Sequence, residues 1–131
     1  MRVFVYGTLK PGHANWRRLL QGRVGRWRAG KIEGRLFDLS LGFPAAVTGS
    51  GWVHGYILHL TEPLLALVDD LEGFSPGRPP ARNNYNRRQV PGFTPQGAPL
   101  GRVHAYFMEP DKVERLGGTE LPGGVWRPLT E

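Results

Sequence analysis

The chain has 131 residues, 40% of them hydrophobic, with four tryptophans and no cysteine. A single domain of this size buries about 65% of the surface its unfolded chain exposes, so packing rather than disulfides must hold it, and a cytoplasmic location is the expectation. No apolar run approaches the roughly 18 residues of a membrane span, and the formal charge of +6 is scattered rather than gathered into a nucleic-acid-binding tail, so no membrane and no nucleic-acid partner is expected.

Nineteen glycines and twelve prolines punctuate the chain too often for long helices and favour short strands. Arg2-Val3-Phe4-Val5-Tyr6 alternates as a strand and stops in the glycine loop Gly7-Thr8-Leu9-Lys10-Pro11-Gly12. A brief helix is expected from Asn15, as its cap, to Leu20, ended by Gly22. Arg23 to Arg28 and Lys31 to Leu39 read as a hairpin around Ala29-Gly30. Pro44 to Thr48 and Trp52 to Leu60 read as a second one around Gly49-Ser50-Gly51.

The strongest helical signal follows. Thr61 caps it, Pro63 sits in its first turn, Leu64, Leu67, Val68 and Leu71 recur on one face, and Gly73 ends it. Ser75 to Asn84 has no periodicity and is long enough for a lid or a disordered excursion. Strands resume at Tyr85 to Val90 and Arg102 to Met108. A turn-rich tail runs from 117 to 131, with Trp126 the residue expected to dock it. The order β-α-β-β-β-β-α-β-β predicts an α+β fold, a mixed sheet curled into a small barrel that hides its edges, with two or three short helices.

Two stretches carry chemistry. The loop after the first strand has the two glycines of a phosphate loop, but His13 and Ala14 stand where that pattern needs Lys and Ser or Thr, which argues against nucleotide binding. Two readings of the loop remain. It is a plain tight turn, or Gly7 lets backbone N–H groups face an anion or a developing oxyanion.

Val68-Asp69-Asp70-Leu71-Glu72-Gly73 puts three acids at the negative end of the helix dipole, where each costs about 0.3–1 kcal/mol unless a cation or solvent relieves it. Asp69 and Glu72 share a face and Asp70 is rotated toward solvent. Glu72 has the most apolar surroundings, and burial plus a neighbouring carboxylate would raise its pKa toward that of a general base. The alternative is an exposed helix-end glutamate. His13, His54, His59 and His104 have no zinc-site spacing, so no metal is expected.

Taken in order, Val5-Tyr6-Gly7-Thr8-Leu9, Gly42-Phe43-Pro44-Ala45, Val53-His54-Gly55-Tyr56-Ile57-Leu58, Val68-Asp69-Asp70-Leu71-Glu72-Gly73 and Tyr85-Asn86-Arg87-Arg88-Gln89-Val90 resemble the gamma-glutamylcyclotransferase-like (AIG2-like) family over residues 2 to 108. The resemblance implies a small mixed barrel in which the loop and the glutamate meet in one cavity. It implies Glu72 as catalytic acid and base, Tyr6, Gly7, Thr8 and Leu9 as the substrate-holding loop, and cyclisation of a γ-glutamyl amine or amino acid to 5-oxoproline with no cofactor or metal. Tyr85, Arg87 and Tyr106 match recurrent family positions without an assigned contact. The loop from Ser75 to Asn84 is longer than the family pattern, which leaves open a non-catalytic binding or sensing module on the same fold.

Overall fold

A computed structural model describes residues 1 to 128. Strands β1 (Arg2–Val5), β2 (Trp27–Asp38), β3 (Pro44–His59), β4 (Asn86–Phe93) and β5 (Pro99–Phe107) pair in the order β3-β1-β5-β4-β2, and β2 returns to β3, closing a five-stranded barrel. Only β1 and β5 run parallel, at Val3 opposite His104, so the barrel is mixed as expected. A two-residue strand β6 (Thr119–Glu120) extends the far edge of β2. The helices α1 (Glu62–Leu71) and α2 (Pro110–Arg115) lie outside the ring of strands, and a short π-helical segment covers Trp16–Leu20.

Strand alternation divides the apolar residues into two cores. Phe4, Tyr6, Ile32, Leu36, Val53, Ile57, Val103 and Phe107 come from β1, its end and three further strands, and they fill the barrel. Val3, Val5, Leu58 and Tyr106 face outward, where Leu65 and Val68 of α1, Trp16, Leu20 and Met108 cover them.

Both predicted hairpin turns are absent, and their residues lie inside two long strands. Gly30 sits opposite Gly55 in the β2–β3 ladder. A Cβ on Gly30 would come within 2.9 Å of the Phe93 carbonyl oxygen, and one on Gly55 within 2.1 Å of the Val5 oxygen. These glycines are points of close backbone approach where the sheet closes on itself, not turns. Gly49-Ser50-Gly51 belongs to an irregularity where the four residues between Val47 and Trp52 face Gly34 alone, with Gly51 at φ 107°. The real β2–β3 turn is at residues 39 to 43, with Ser40 at φ 58° and Gly42 at φ 89°. Arg23 to Arg26 precede β2 and form no strand.

Helix α1 follows its sequence signals at both ends. Thr61 Oγ1 accepts from the Leu64 N–H at 3.4 Å, and the buried stripe is Leu65 and Val68, flanked by Leu64 and Leu71 rather than by Leu67. At its end Glu72 is the cap residue and Gly73 takes φ 64°. Phe74 N–H reaches Asp69 O at 2.9 Å and Gly73 N–H reaches Asp70 O at 3.1 Å, the paired bonds of a Schellman ending. Asn15 does not cap the segment after it; its side-chain amide donates to Thr8 Oγ1 at 2.7 Å.

The tail docks through Trp126, 3% exposed, whose carbonyl accepts from Lys10 Nζ at 2.7 Å. Gly124 O accepts from His54 N at 2.8 Å alongside it.

Tyr6 joins three strand ends. Its hydroxyl, inside the barrel, donates to Tyr106 O at 2.7 Å and accepts from Ala46 N–H at 3.1 Å. Tyr6→Phe takes a partner from two buried backbone groups and is expected to cost about 1–3 kcal/mol, read as a lower urea midpoint. An unchanged midpoint would show that the bridge carries no stability.

Candidate active site

At one end of the barrel, a cavity of about 510 Å³ opens between the end of β1, the β2–β3 turn, the end of α1 and α2. Tyr6, Gly7, Thr8, Leu9 and Glu72 all line it. Five residues chosen from two distant stretches of sequence therefore share one space.

The loop after β1 is shaped by its own carbonyls. Gly7 O accepts from Lys10 N–H at 3.1 Å, and Thr8 O accepts from the N–H groups of Asn15 and Trp16 at 3.0 and 3.1 Å. Among the described residues, the N–H groups of Gly7, Thr8 and Leu9 donate to no acceptor. Gly7 is not glycine for a left-handed φ; a Cβ there would lie 2.8 Å from Pro44 Cδ. Pro44 in turn accepts the Tyr85 hydroxyl on its carbonyl at 2.6 Å, so glycine, proline and tyrosine form one packed wall.

Glu72 is brought to the cavity by the helix ending. With Gly73 reversing the chain, Glu72 O accepts from Tyr85 N–H at 3.3 Å and Gly73 O from Asn84 N–H at 3.1 Å, which fixes the glutamate backbone from both sides. Its side chain is partly buried beside Leu71 and Tyr85. Burial foremost, and the Asp69 carboxylate second, push its pKa from 4.5 up to about 7. The exposed helix-end alternative does not hold.

Arg87 supplies the relief that Asp69 requires at the negative end of the helix dipole. Arg87 Nε lies 3.0 Å from Asp69 Oδ1, with both side chains less than one-fifth exposed, and the Tyr106 hydroxyl donates to the same oxygen at 2.5 Å. Arg87 also approaches His104 Nδ1 at 3.1 Å and lies 5.4 Å from the Phe74 ring centre. Burial first, then Arg87, lowers the His104 pKa, which keeps the imidazole neutral and able to accept from the guanidinium. Burial raises the Tyr6, Tyr85 and Tyr106 phenols well above their ordinary range, and the nearby Glu72 charge adds to each, so all three stay protonated. Asp70 is exposed, as its rotation predicts.

The residues from Ser75 to Asn84 are an ordered excursion that wraps Asn83, 4% exposed. Asn83 Oδ1 accepts from Ser75 N–H at 3.1 Å and Arg78 Nε at 2.7 Å, while Asn83 Nδ2 donates to Asn86 Oδ1 at 2.9 Å. Of this segment only Asn84 lines the cavity. The sequence did not mark Asn15, Asn84, Met108, Lys112 of α2 or Leu116 at its C-cap as lining residues. The i, i+4 spacing of Lys112 and Leu116 was a visible signal for a shared helix face, although nothing local said what that face meets.

The fold and the site together define the class: a closed mixed barrel with a partly buried glutamate, its pKa raised to about 7, on the wall of a ligand-sized cavity. Comparison with known proteins gives the family. Residues 3–128 match the family model described as gamma-glutamyl cyclotransferase, AIG2-like, and the chain belongs to that family. The match runs through the tail, twenty residues beyond the 2–108 stretch that the motifs covered.

A gamma-L-glutamyl-butirosin B gamma-glutamyl cyclotransferase from Niallia circulans is 30% identical over 105 residues, 79% of this chain and 65% of that protein, so the chain spans under two thirds of that relative. A putative gamma-glutamylcyclotransferase from Halalkalibacterium halodurans is 29% identical over 76% of this chain and 84% of its own length. Among solved structures, an AIG2-like protein from Mus musculus superposes with a TM-score of 0.68 at 20% identity, covering 96% of this chain and 87% of that one. Protein ytfP from Escherichia coli gives 0.60 at 26% identity, covering 96% of both chains. Among the described residues no helix is long and apolar enough to cross a membrane, and no three of His, Asp and Glu gather as a ligand set.

Proposed function

We propose that this chain is a γ-glutamylcyclotransferase that cyclises a small γ-glutamyl amine or amino acid to 5-oxoproline and releases the amine, acting in the cytoplasm without a cofactor. The observation that carries this reading is the shared cavity: Glu72 at pKa about 7 on one wall and the undonated N–H groups of the Gly7 loop on another. Family membership and the names of the relatives support it.

The substrate's α-amino group starts as an ammonium. Glu72, as carboxylate, takes a proton from it, and the freed nitrogen attacks the γ-carbonyl carbon of the same molecule, forming the C–N bond of a five-membered lactam. The carbonyl oxygen becomes an oxyanion that accepts from the unengaged N–H groups of the Gly7-Thr8-Leu9 loop. The carbonyl reforms as the original amide C–N bond breaks. The protons lost by the attacking nitrogen pass to the departing one, so one carboxyl near neutral pKa serves as base and then as acid. Nucleophile and electrophile belong to one molecule, and holding the folded-back conformer removes much of the barrier.

The test is 5-oxoproline release from a panel of γ-glutamyl compounds. Release supports the assignment. Silence from well-folded protein that still binds the panel overturns it in favour of the binding module.

The pH dependence is a second check. Because Glu72 must begin as carboxylate, kcat/KM is expected to rise with pH through about 7 rather than through 4.5. Asp69→Asn removes the smaller of the two causes and leaves Arg87 unneutralised, so the acid limb moves to lower pH. A limb that stays in place would remove Asp69 from the tuning of Glu72.

A further inference from the structure

The cavity rim differs sharply from its floor. Three of the exposed large apolar side chains, Leu41 (56%), Phe43 (37%) and Leu116 (40%), stand around it. Lys112, one turn before Leu116 on α2, is the one cationic residue lining the cavity among the described residues. Its Nζ donates to Asn84 Oδ1 at 3.0 Å, a neutral partner. Two nearby acids are engaged elsewhere: Asp111 pairs with Arg115 at 3.1 Å, and Glu109, the residue before the helix, accepts from the Asn86 amide at 3.4 Å. The Lys112 ammonium is thus held at the mouth in an exposed contact with an amide and joins no ion pair among the described residues.

We propose that Lys112 and Asn84 form a carboxylate subsite for the leaving amine, and that the preferred substrates are γ-glutamyl derivatives of apolar α-amino acids. The proposal rests on the cyclotransferase reading. With the γ-glutamyl end between the Gly7 loop and Glu72, the departing portion extends toward the mouth. Its carboxylate meets the Lys112 ammonium, and the Asn84 amide donates beside it. Its side chain lies on Leu41, Phe43 and Leu116. A charge-assisted hydrogen bond is the interaction that separates a free carboxylate from its neutral amide, and a cation there disfavours an amine that arrives with a second positive charge.

The experiment compares γ-glutamyl-leucine with γ-glutamyl-leucinamide, γ-glutamyl-glycine and γ-glutamyl-ε-lysine, reading 5-oxoproline release by the wild type, Lys112→Gln and Lys112→Glu. The expected result is a kcat/KM about tenfold higher for the leucine acid than for its amide, a ratio falling to about one in Lys112→Gln and below one in Lys112→Glu. The apolar rim predicts leucine over glycine. Release with equal rates for acid and amide overturns the carboxylate subsite and leaves the cyclotransferase intact.

The same ligands titrated by calorimetry separate the two readings. No release from any compound, together with binding of acid over amide that Lys112→Gln abolishes, sinks the catalytic reading and keeps the subsite. Equal binding of acid and amide sinks the subsite.

Discussion

Glu72→Gln is expected to lower 5-oxoproline release by about 10²–10⁴-fold, the contribution of a positioned general acid–base group, while the barrel remains folded. Glutamine keeps the shape beside Leu71 and Tyr85 but neither takes a proton from the ammonium nor returns one to the amine. The stability of this variant moves the other way, and the sign follows from linkage. In the folded protein the carboxyl titrates near 7, in the unfolded chain near 4.5, so between these values the folded state holds a proton that the unfolded state has released. The contribution favouring the fold is complete below about pH 4.5 and is lost as pH rises through about 7. At pH 8 the wild type carries a partly buried charge that the variant lacks. Glu72→Gln is then the more stable protein, by about 2–3 kcal/mol. Urea unfolding at pH 5 and pH 8 reads the difference, which should be small at the first and large at the second. Equal midpoints at both would mean that the carboxylate is not held in a costly setting, and full turnover would remove it from the mechanism.

Gly55→Ala should be the most damaging single-carbon change in the sheet. The new Cβ would stand 2.1 Å from the Val5 carbonyl oxygen and 3.0 Å from Phe4 Cζ. Backbone, unlike a long side chain, has no rotamer by which to yield, so β1 and β3 must separate around the register pair Val5 and Tyr56. The expected loss is about 3 kcal/mol or more in urea unfolding followed by tryptophan fluorescence. Gly25→Ala, with no atom within 4 Å of its new carbon, is the control and should stay within about 0.5 kcal/mol. The site suffers with the fold, since Val5 leads directly into the Tyr6-Gly7 loop. A Gly55→Ala protein with unchanged midpoint would show that the strands are spaced more widely than the ladder implies.

The glycines separate what could be read locally from what could not. Gly73 was legible because a helix ending is a local event: a periodic stripe stops, and a residue able to take φ 64° follows. Gly30 and Gly51 resemble turn glycines over a five-residue window. Their actual constraints come from Phe93 and Ile57 in one case and from Gly34 in the other, partners that no window contains. The same holds for Asn15, whose side chain bonds Thr8, and for the segment from Ser75, which looks unstructured until Asn83 is seen as the centre of its hydrogen bonds.

The alternating first strand, the capped helix that ends at Glu72, the docking of Trp126 and, through the ordered motifs, the family are all legible in the chain read alone. Each of these depends on residues near in sequence or on a pattern that the chain carries whole. That Glu72 and the Gly7 loop line one cavity, that Arg87 and Tyr106 hold Asp69, and that Lys112 stands at the mouth becomes visible only in the folded barrel. Contacts such as Tyr6 to Tyr106, 100 residues apart, form when a barrel closes, and closure is a property of strand pairing and twist that no stretch of sequence displays alone.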